Sequence, residues 1–267
     1  MRGGGCERAG EILGCKIDPV DLEQALGRCE AAIKSGGVAQ HMSINVAKLV
    51  AMRDDDGLRD SVSRCELVTA DGQPVVWASR LLRVPLPARV AGIDLMSALL
   101  ARAAKRGYRI YILGTRPEVL ERAVLRIRAA HPKLAVGGYR HGYFADREEA
   151  DVAAAIARAG PDILFVAMSS PRKEYFTARH RDTLGVPFVM GVGGAIDIYA
   201  GIRSRAPVLL QRSGLEWLYR LAQEPRRLSG RYLKSNTRFI ALLSREIMRD
   251  RAGSAYNRVP QAASGAR

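Results

Sequence analysis

The chain has 267 residues, 26% of them charged, and a formal net charge of +15 at pH 7. This length allows a substantial core, either in one large domain or in one domain with an appendage, and we favour the second. The positive charge is concentrated, because residues 201–267 hold 14 Lys/Arg and 4 Asp/Glu. A basic end attracts nucleic acid, an anionic lipid surface or a phosphorylated ligand, and charge alone does not choose among them.

The composition disfavours several protein classes. Aromatic residues make up 6% of the chain and form no Lys/Arg-aromatic-glycine repeat, which argues against a platform that stacks single-stranded nucleic acid. The segment MRGGGCERAG lacks the apolar stretch of a signal peptide, and nowhere do 18 apolar residues follow one another. The cysteines have no close pair, which indicates neither a zinc site nor a disulfide framework: Cys6, Cys15, Cys29 and Cys65. We therefore expect a cytosolic protein with only peripheral membrane contact.

Between residues 37 and 192, apolar runs typical of strands alternate with helical patterns. The strand candidates in chain order are VAQHMSI, ELVTA, YRIYILG, LAVGGYR, DILFVAM and PFVMGVG. Helical spacings lie between them, such as Leu95, Leu99 and Leu100 before Gly107. This alternation predicts an α/β fold with a doubly wound, mostly parallel sheet and helices on both faces. Ligands of such folds bind beyond the carboxyl ends of the strands, so the residues that follow each strand are site candidates.

Polar residues follow the first two predicted strands. SIN at residues 43–45 ends one strand and opens a helix, so Asn45 either caps that helix or orients a ligand hydroxyl. TADG at residues 69–72 follows the next strand, and its glycine permits a sharp turn that leaves the Asp71 carboxylate at the mouth of the sheet. Asp71 is a candidate general base. The alternative is that it only turns the chain or caps the helix that begins near Gln73.

Three later segments also follow strands. LGTRPE at residues 113–118 opens a helix whose backbone N–H groups could receive a phosphate, although the Gly-Lys-Ser/Thr end of a P-loop is missing. SSPRKE at residues 169–174 predicts a sugar or phosphate subsite, and the alternative is an ordinary helix cap with Glu174 in the first turn. GVGG at residues 191–194 lacks the third spaced glycine of a dinucleotide loop, which disfavours NAD binding.

The pattern changes after Gly201, where the alternation stops and only helical spacing continues. We predict a catalytic α/β domain over residues 11–200 and a helical, membrane-associating appendage over residues 201–251. The terminal segments, residues 1–10 and 252–267, are small and polar and are predicted to be disordered.

The appendage carries arginines at near-helical spacings beside large apolar groups, a pattern suited to gripping a diphosphate. The alternative is an amphipathic packing helix with solvated arginines. Further along, one apolar stripe is expected to meet lipid or to pair two subunits: Phe239, Ile240, Leu243 and Ile247. No carboxylate-histidine spacing resembles a metal site, so we predict metal-independent chemistry with no cofactor, in which arginines supply the positive charge.

Eight blocks in order along residues 43–233 resemble the WecG/TagA/CpsF family of bacterial glycosyltransferases. The blocks are SIN, TADGQPVVWASR, RVAGIDL, YILGTRPEVLERA, GGYRHGYF, PDILFVAMSSPRKE, GVGGAIDIYAGIRSRAP and GLEWLYRLAQEPRRLSGRYL. The resemblance implies an inverting transfer of a hexose-type sugar, such as N-acetylmannosamine, its uronic acid or glucose, from a UDP-sugar to a polyprenyl-diphosphate-linked saccharide. The implied setting is cell-envelope exopolysaccharide biosynthesis at the inner face of the membrane, and a homo-oligomer stays possible.

The resemblance also assigns roles to residues. Asp71 is the implied base, with Ser43 and Asn45 lining the pocket. The candidates for contact with the nucleotide sugar are Gly72, Gly114, Thr115, Arg116, Ser170, Lys173, Glu174, Gly193 and Asp197. The candidates for contact with a diphosphate or the acceptor are Arg205, Arg220, Arg226, Arg227 and Arg231.

Two residues depart from the family pattern. Ser43 stands at the usual threonine and keeps the hydroxyl, whereas Lys173 stands at a frequent glutamine and is expected to alter sugar choice. The competing hypothesis is a nucleotide- or nucleic-acid-binding α/β protein that uses its basic tail, which predicts steeply salt-dependent affinity for DNA or RNA. An NAD-dependent epimerase or dehydrogenase is disfavoured by the missing early glycine motif.

Overall fold

The computed structural model describes residues 10–256, except for the side chains of residues 212, 227, 231 and 250–256. The strands are β1 (Gly10–Ile12), β2 (Cys15–Ile17), β3 (Ala39–Ile44), β4 (Leu67–Ala70), β5 (Arg109–Gly114), β6 (Ala135–Arg140), β7 (Ile163–Ala167) and β8 (Phe188–Gly191). The first helices are α1 (Leu22–Ser35), α2 (Val46–Ala51), α3 (Asp56–Ser63), α4 (Gln73–Leu81), α5 (Gly92–Arg106) and α6 (Pro117–Ala130). The later helices are α7 (Glu149–Ala159), α8 (Arg172–Arg179), α9 (Arg181–Leu184), α10 (Ala195–Tyr199), α11 (Val208–Arg212), α12 (Glu216–Gln223) and α13 (Pro225–Tyr256).

Six strands form one parallel sheet in the order β4-β3-β8-β7-β5-β6, and β1 and β2 form a separate antiparallel pair. Helices α1, α5, α6 and α10 bury one face of the sheet. Helices α2, α3, α4, α7, α8 and α9 bury the other. Because both faces are covered, inner strands such as β7 are buried at every position, which explains their continuous apolar runs. The predicted doubly wound α/β class is confirmed.

Local sequence sets the ends of several helices, as predicted. Helix α5 ends at Gly107, whose φ of 77° is a left-handed value that glycine adopts at little cost. Helix α6 begins with Pro117, where the missing N–H would have had no partner within the helix. Because all six strands run parallel, their carboxyl ends lie at one edge of the sheet.

The last three helices lie against the α/β fold. Helix α13 packs on α2, and Phe239 is buried in the core cluster beneath it, with Leu243 and Ile247 packed alongside. Ile240 instead is 62% exposed. The prediction of one apolar stripe that meets lipid or another subunit is therefore wrong for Phe239, Leu243 and Ile247, because these side chains complete the core.

An ion pair also ties α13 to the fold. The guanidinium of Arg238 donates to both carboxylate oxygens of Asp54, a residue between α2 and α3. Within residues 10–256, no helix is long and apolar enough to cross a membrane. The boundary between a catalytic domain and an appendage at residue 201 stays a prediction.

We expect Phe239→Ala to lower the free energy of unfolding by about 3–5 kcal/mol, because it removes a buried ring and leaves a cavity. The matched control is Ile240→Ala on the same helix, for which we expect a change within about 0.5 kcal/mol because that side chain is exposed. Urea denaturation measures both. Equal effects of the two substitutions would contradict the packing of α13 described above.

Candidate functional site

The carboxyl ends of β3 and β4 bring Ser43 and Asp71 to the same edge of the sheet. Ser43 lies in register with Thr69 of β4. The backbone N–H of Asp71 donates to the carbonyl oxygen of Ile44 at 2.7 Å, so the chain leaves β4 still bonded to β3. The N–H of Val90 donates to the carbonyl oxygen of Ala70 at 2.9 Å. This bond holds the segment before α5 next to the end of β4.

Gly92, the first residue of α5, lies against the side chains of both Ser43 and Asp71. A Cβ atom at this position would lie 3.2 Å from Ser43 Oγ and 3.6 Å from Asp71 Oδ2. The backbone N–H of Gly92 lies near the Asp71 carboxylate and acts to lower its pKa. A helix start without a side chain therefore lets a backbone donor approach the carboxylate directly.

Asp71 is a carboxylate with a perturbed pKa. Burial raises the pKa of Asp71 above its usual value of 3.8, and it outweighs the opposing effects of Arg89, Arg220 and the Gly92 N–H. The N-cap of helix α4 is Gly72, and no side chain makes a capping hydrogen bond there. The alternative that Asp71 serves as the cap of the next helix is therefore wrong.

A chain of ion pairs holds α12 over this edge. Arg89 Nη1 lies 2.6 Å from Glu216 Oε2 of α12, and both side chains are largely buried. Arg205 Nη2 lies 2.6 Å from Asp94 Oδ1 of α5, and its Nε lies 4.0 Å from Glu216 Oε1. Arg205, which was predicted to bind a diphosphate, thus forms ion pairs with two carboxylates in this structure.

A second set of ion pairs lies beside the first. Arg203 bridges Asp197 of α10, at 3.3 Å, and Glu224, at 2.8 Å. Asp197, a predicted nucleotide-sugar contact, therefore takes part in holding α12 to the sheet. The two sets join residues 203–224 to the α/β fold across the carboxyl edge.

Arg220 extends from α12 towards Asp71 and the loop after β8. Its Nη2 lies 3.3 Å from the place of a Cβ on Gly194, next to the predicted contact Gly193. Its charge lowers the pKa of Asp71. Of the predicted arginines, Arg226 is exposed, and the side chains of Arg227 and Arg231 lie outside the described residues.

The turn after β5 is crowded. A Cβ on Gly114 would lie 2.4 Å from the carbonyl carbon of Ala167, so only glycine fits there. Thr115 adopts a left-handed φ of 52°, which is strained for a branched residue. Its N–H donates to the carbonyl oxygen of Ala167 at 3.0 Å. Arg116, at the N-cap of α6, is exposed.

The segment after β7 separates into exposed and buried parts. Ser170 is exposed, whereas Lys173 and Glu174 are buried. Glu174 Oε1 lies 2.9 Å from the Nζ atoms of both Lys48 and Lys173. Burial acts to raise the pKa of Glu174, but the two lysines together hold it below its usual value. Glu174 lies in the first turn of α8, as the capping alternative expected, but no side chain caps that helix and the Glu174 side chain has no exposed area.

Asn45 is the N-cap of α2, and its Oδ1 accepts from the backbone N–H of Lys48 at 3.0 Å. The capping interpretation is confirmed. Beneath Ser43, His41 Nε2 lies 2.9 Å from Thr69 Oγ1, and burial lowers the pKa of His41 to about 3. The described side chains include no group of three or more His, Cys, Asp or Glu that could hold a metal ion.

Sequence analysis missed Arg89, Glu216 and Lys48 as parts of this edge. Arg89 and Glu216 lie inside the blocks RVAGIDL and GLEWLYRL, but no local spacing pairs residues 127 positions apart. Lys48 carried a signal, since it is the one charged residue in the otherwise apolar helix VAKLVA. A lysine on a buried helical face calls for a buried anionic partner.

We expect Asp71→Asn to stabilise the fold at neutral pH. An acid whose pKa is raised by folding binds its proton more tightly when folded, so stability falls as the pH rises from about 3.8, the unfolded value, through the folded pKa. Urea denaturation at pH 7 should show a higher midpoint for the variant than for the wild type, with the difference vanishing below the unfolded pKa. Asp60→Asn, at an exposed position, is the control. A destabilised Asp71→Asn protein at pH 7 would contradict this picture of the carboxylate.

Residues 10–253 match the model of the Glycosyl transferase WecG/TagA/CpsF family, which is nearly the whole chain. This family comprises glycosyltransferases of cell-surface polysaccharide synthesis, which in general use a sugar-nucleotide donor and a lipid-linked acceptor. The resemblance found in the eight blocks is confirmed, and the chain belongs to the WecG/TagA/CpsF family of glycosyltransferases.

Proposed function

We propose that the protein transfers a hexose-type sugar from a UDP-sugar to a polyprenyl-diphosphate-linked saccharide, with inversion and without a metal ion. The observation that carries the proposal is the Asp71 carboxylate, which lies at the carboxyl edge of the sheet with Arg220 close enough to lower its pKa. A base and a cation at one edge are the two groups that inverting transfer requires.

Asp71 is suited to the role of general base. It removes the proton from the acceptor hydroxyl as that oxygen attacks the anomeric carbon, and a base whose pKa is raised holds that proton more firmly. The Gly92 N–H lies near the carboxylate and favours its ionised form, and Ser43 Oγ is buried without a hydrogen-bond partner. That hydroxyl is placed to bind a polar group of the substrate beside the base.

The departing UDP requires positive charge on the opposite side of the anomeric carbon. Arg220, beside the loop of residues 191–194, and the exposed Arg226 supply guanidinium groups that can hold a diphosphate with paired hydrogen bonds. The backbone N–H groups at the start of α6, next to Thr115, add a second donor set. Because Arg220 lies on α12, the Arg89–Glu216 ion pair positions it.

The same helices offer a surface for a bilayer. Large apolar side chains remain exposed on α11 to α13: Val208, Leu209, Trp217, Leu218, Leu233, Ile240 and Met248. Basic residues lie among them, and each Lys or Arg near an anionic surface contributes about 1 kcal/mol. We infer a peripheral location on the cytoplasmic face of the membrane, where a polyprenyl diphosphate lies beside the site.

We expect Asp71→Asn to reduce kcat by about 10²–10⁴, because it removes the base, while UDP binding stays within about twofold. Release of UDP measures turnover, and calorimetric titration measures binding. In the wild type, the rate should fall as the pH drops through a value above 3.8, because the raised pKa of Asp71 is the one that must be exceeded. A variant with a near-normal rate would remove Asp71 from the mechanism.

We expect Leu209→Asp and Leu233→Asp each to weaken sedimentation of the protein with anionic vesicles at least tenfold, since each places a charge on the surface that meets lipid. These side chains are 78% and 73% exposed. Leu125→Asp is the matched control, because Leu125 is 67% exposed on α6. The idea fails if all three variants bind vesicles alike.

A further inference from the structure

A row of side chains on helix α4 leads away from Asp71. The helix begins at Gln73, directly after the turn that carries Asp71. Gln73, Trp77 and Leu81 follow one another at a spacing that places them on the same face of the helix, and we call this row the α4 stripe. Trp77 is 45% exposed and Leu81 is 60% exposed, whereas the opposite face of α4 is buried in the core. The α4 stripe therefore starts beside the candidate base and continues for about 12 Å along the helix.

The turn between α11 and α12 lies against the start of the α4 stripe. A Cβ on Gly214 would lie 2.5 Å from Gln73 Cγ and 3.5 Å from Trp77 Cζ2, so the turn packs closely on both side chains. Gly214 is buried and has a φ of 76°, a value that favours glycine. The α4 stripe therefore adjoins both the end of β4 and the helices for which we propose contact with a bilayer.

The charge of α4 narrows the choice of ligand for this surface. Residues 73–83 contain two exposed arginines, Arg80 and Arg83, and no Asp or Glu. In a two-fold contact between copies of the chain, both partners present the same patch, so these arginines would face one another. Such a contact between like charges is unfavourable. An apolar stripe flanked by guanidinium groups instead fits an amphiphile that joins a hydrocarbon chain to an anionic group.

We propose that Trp77 and Leu81 bind the isoprenoid chain of the lipid-linked acceptor. This inference rests on the proposed function and assigns one part of its acceptor to a surface of the protein. With the acceptor hydroxyl at Asp71, the saccharide and the diphosphate pass Gln73, the polar member of the α4 stripe, and the chain then lies along the two apolar members. The chain buries apolar area against the indole ring and the leucine, which favours binding. Contact of α11 to α13 with a bilayer would not require an apolar path that begins at Asp71.

The test uses the fluorescence of a single tryptophan in the full-length protein. The chain has two tryptophans, Trp77 and Trp217, so Trp217→Phe leaves Trp77 as the only one. The probes are inorganic diphosphate, geranyl diphosphate and farnesyl diphosphate, which differ in their hydrocarbon chain. Both prenyl diphosphates should shift the Trp77 emission to the blue in a saturable manner, because the chain displaces water from the indole ring, and inorganic diphosphate should not. Farnesyl diphosphate should bind at least tenfold more tightly than geranyl diphosphate, since one more isoprene unit is buried.

A second substitution locates the far end of the chain. Leu81→Asn, added to Trp217→Phe, should remove most of the advantage of farnesyl over geranyl diphosphate, because Leu81 lies one helical turn beyond Trp77. The affinity for UDP, measured by calorimetric titration, should stay within twofold. Leu125→Asn is the matched control, since Leu125 is also exposed but lies on α6, on the other face of the sheet. This control should leave every affinity unchanged.

The possible results separate the two proposals. Unchanged Trp77 emission with farnesyl diphosphate, or equal affinities for the two prenyl diphosphates, would overturn the binding of the isoprenoid chain at α4. Equal losses in Leu81→Asn and Leu125→Asn would do the same. Vesicles of phosphatidylglycerol that shift Trp77 emission as much as farnesyl diphosphate does would assign the α4 stripe to the bilayer instead. Failure to bind UDP, with farnesyl diphosphate still bound at Trp77, would overturn the proposed function alone.

Discussion

The candidate site is arranged around the Asp71 carboxylate, which is partly buried at the carboxyl edge of the sheet. Burial raises the pKa of Asp71, and the groups that oppose this effect come from different parts of the chain: Gly92 and Arg89 from the α/β fold, and Arg220 from α12. The electrostatic environment of Asp71 is therefore complete only when α12 is in place. The Arg89–Glu216 ion pair contributes in two ways. It orients Arg89 near Asp71, and it holds α12, the helix that carries Arg220.

Space at the carboxyl edge is controlled as closely as charge. Gly92 lets a helix start approach Ser43 and Asp71, and Gly191 lets Lys173 lie across the end of β8. A Cβ on Gly92 would lie 3.2 Å from Ser43 Oγ, and a Cβ on Gly191 would lie 2.9 Å from Lys173 Cε, so a side chain at either position would crowd its neighbours. Because these two residues lack a Cβ, polar side chains can pack directly against the backbone at the end of the parallel sheet.

The sequence predicted the fold class, because strand periodicity is a local signal. The same signal predicted that Asp71 and Ser43 lie at the carboxyl ends of neighbouring strands, as the structure has them, and their roles in a site stay predictions. Long-range partners were not predicted, since nothing near Arg89 indicates Glu216 and nothing near Glu174 indicates Lys48. The stripe of Phe239, Leu243 and Ile247 was misassigned for a related reason: amphipathic periodicity shows that a helix has an apolar face, but not whether protein or lipid covers it.

The charge of the last quarter of the chain divides into two parts with different effects. Arg203, Arg205 and Arg238 lie in ion pairs with carboxylates of the α/β fold, so their charges attach the last helices and add little to the field at the surface. Arg226 is exposed, and Arg220 faces the site. On the proposal that these helices meet a bilayer, the ion-paired arginines add little attraction, whereas full burial of one leucine contributes about 1.5–3 kcal/mol, as much as two or three basic residues near an anionic surface. The proposed lipid contact therefore depends more on the exposed apolar side chains of α11 to α13 than on the ion-paired arginines, which attach these helices to the α/β fold.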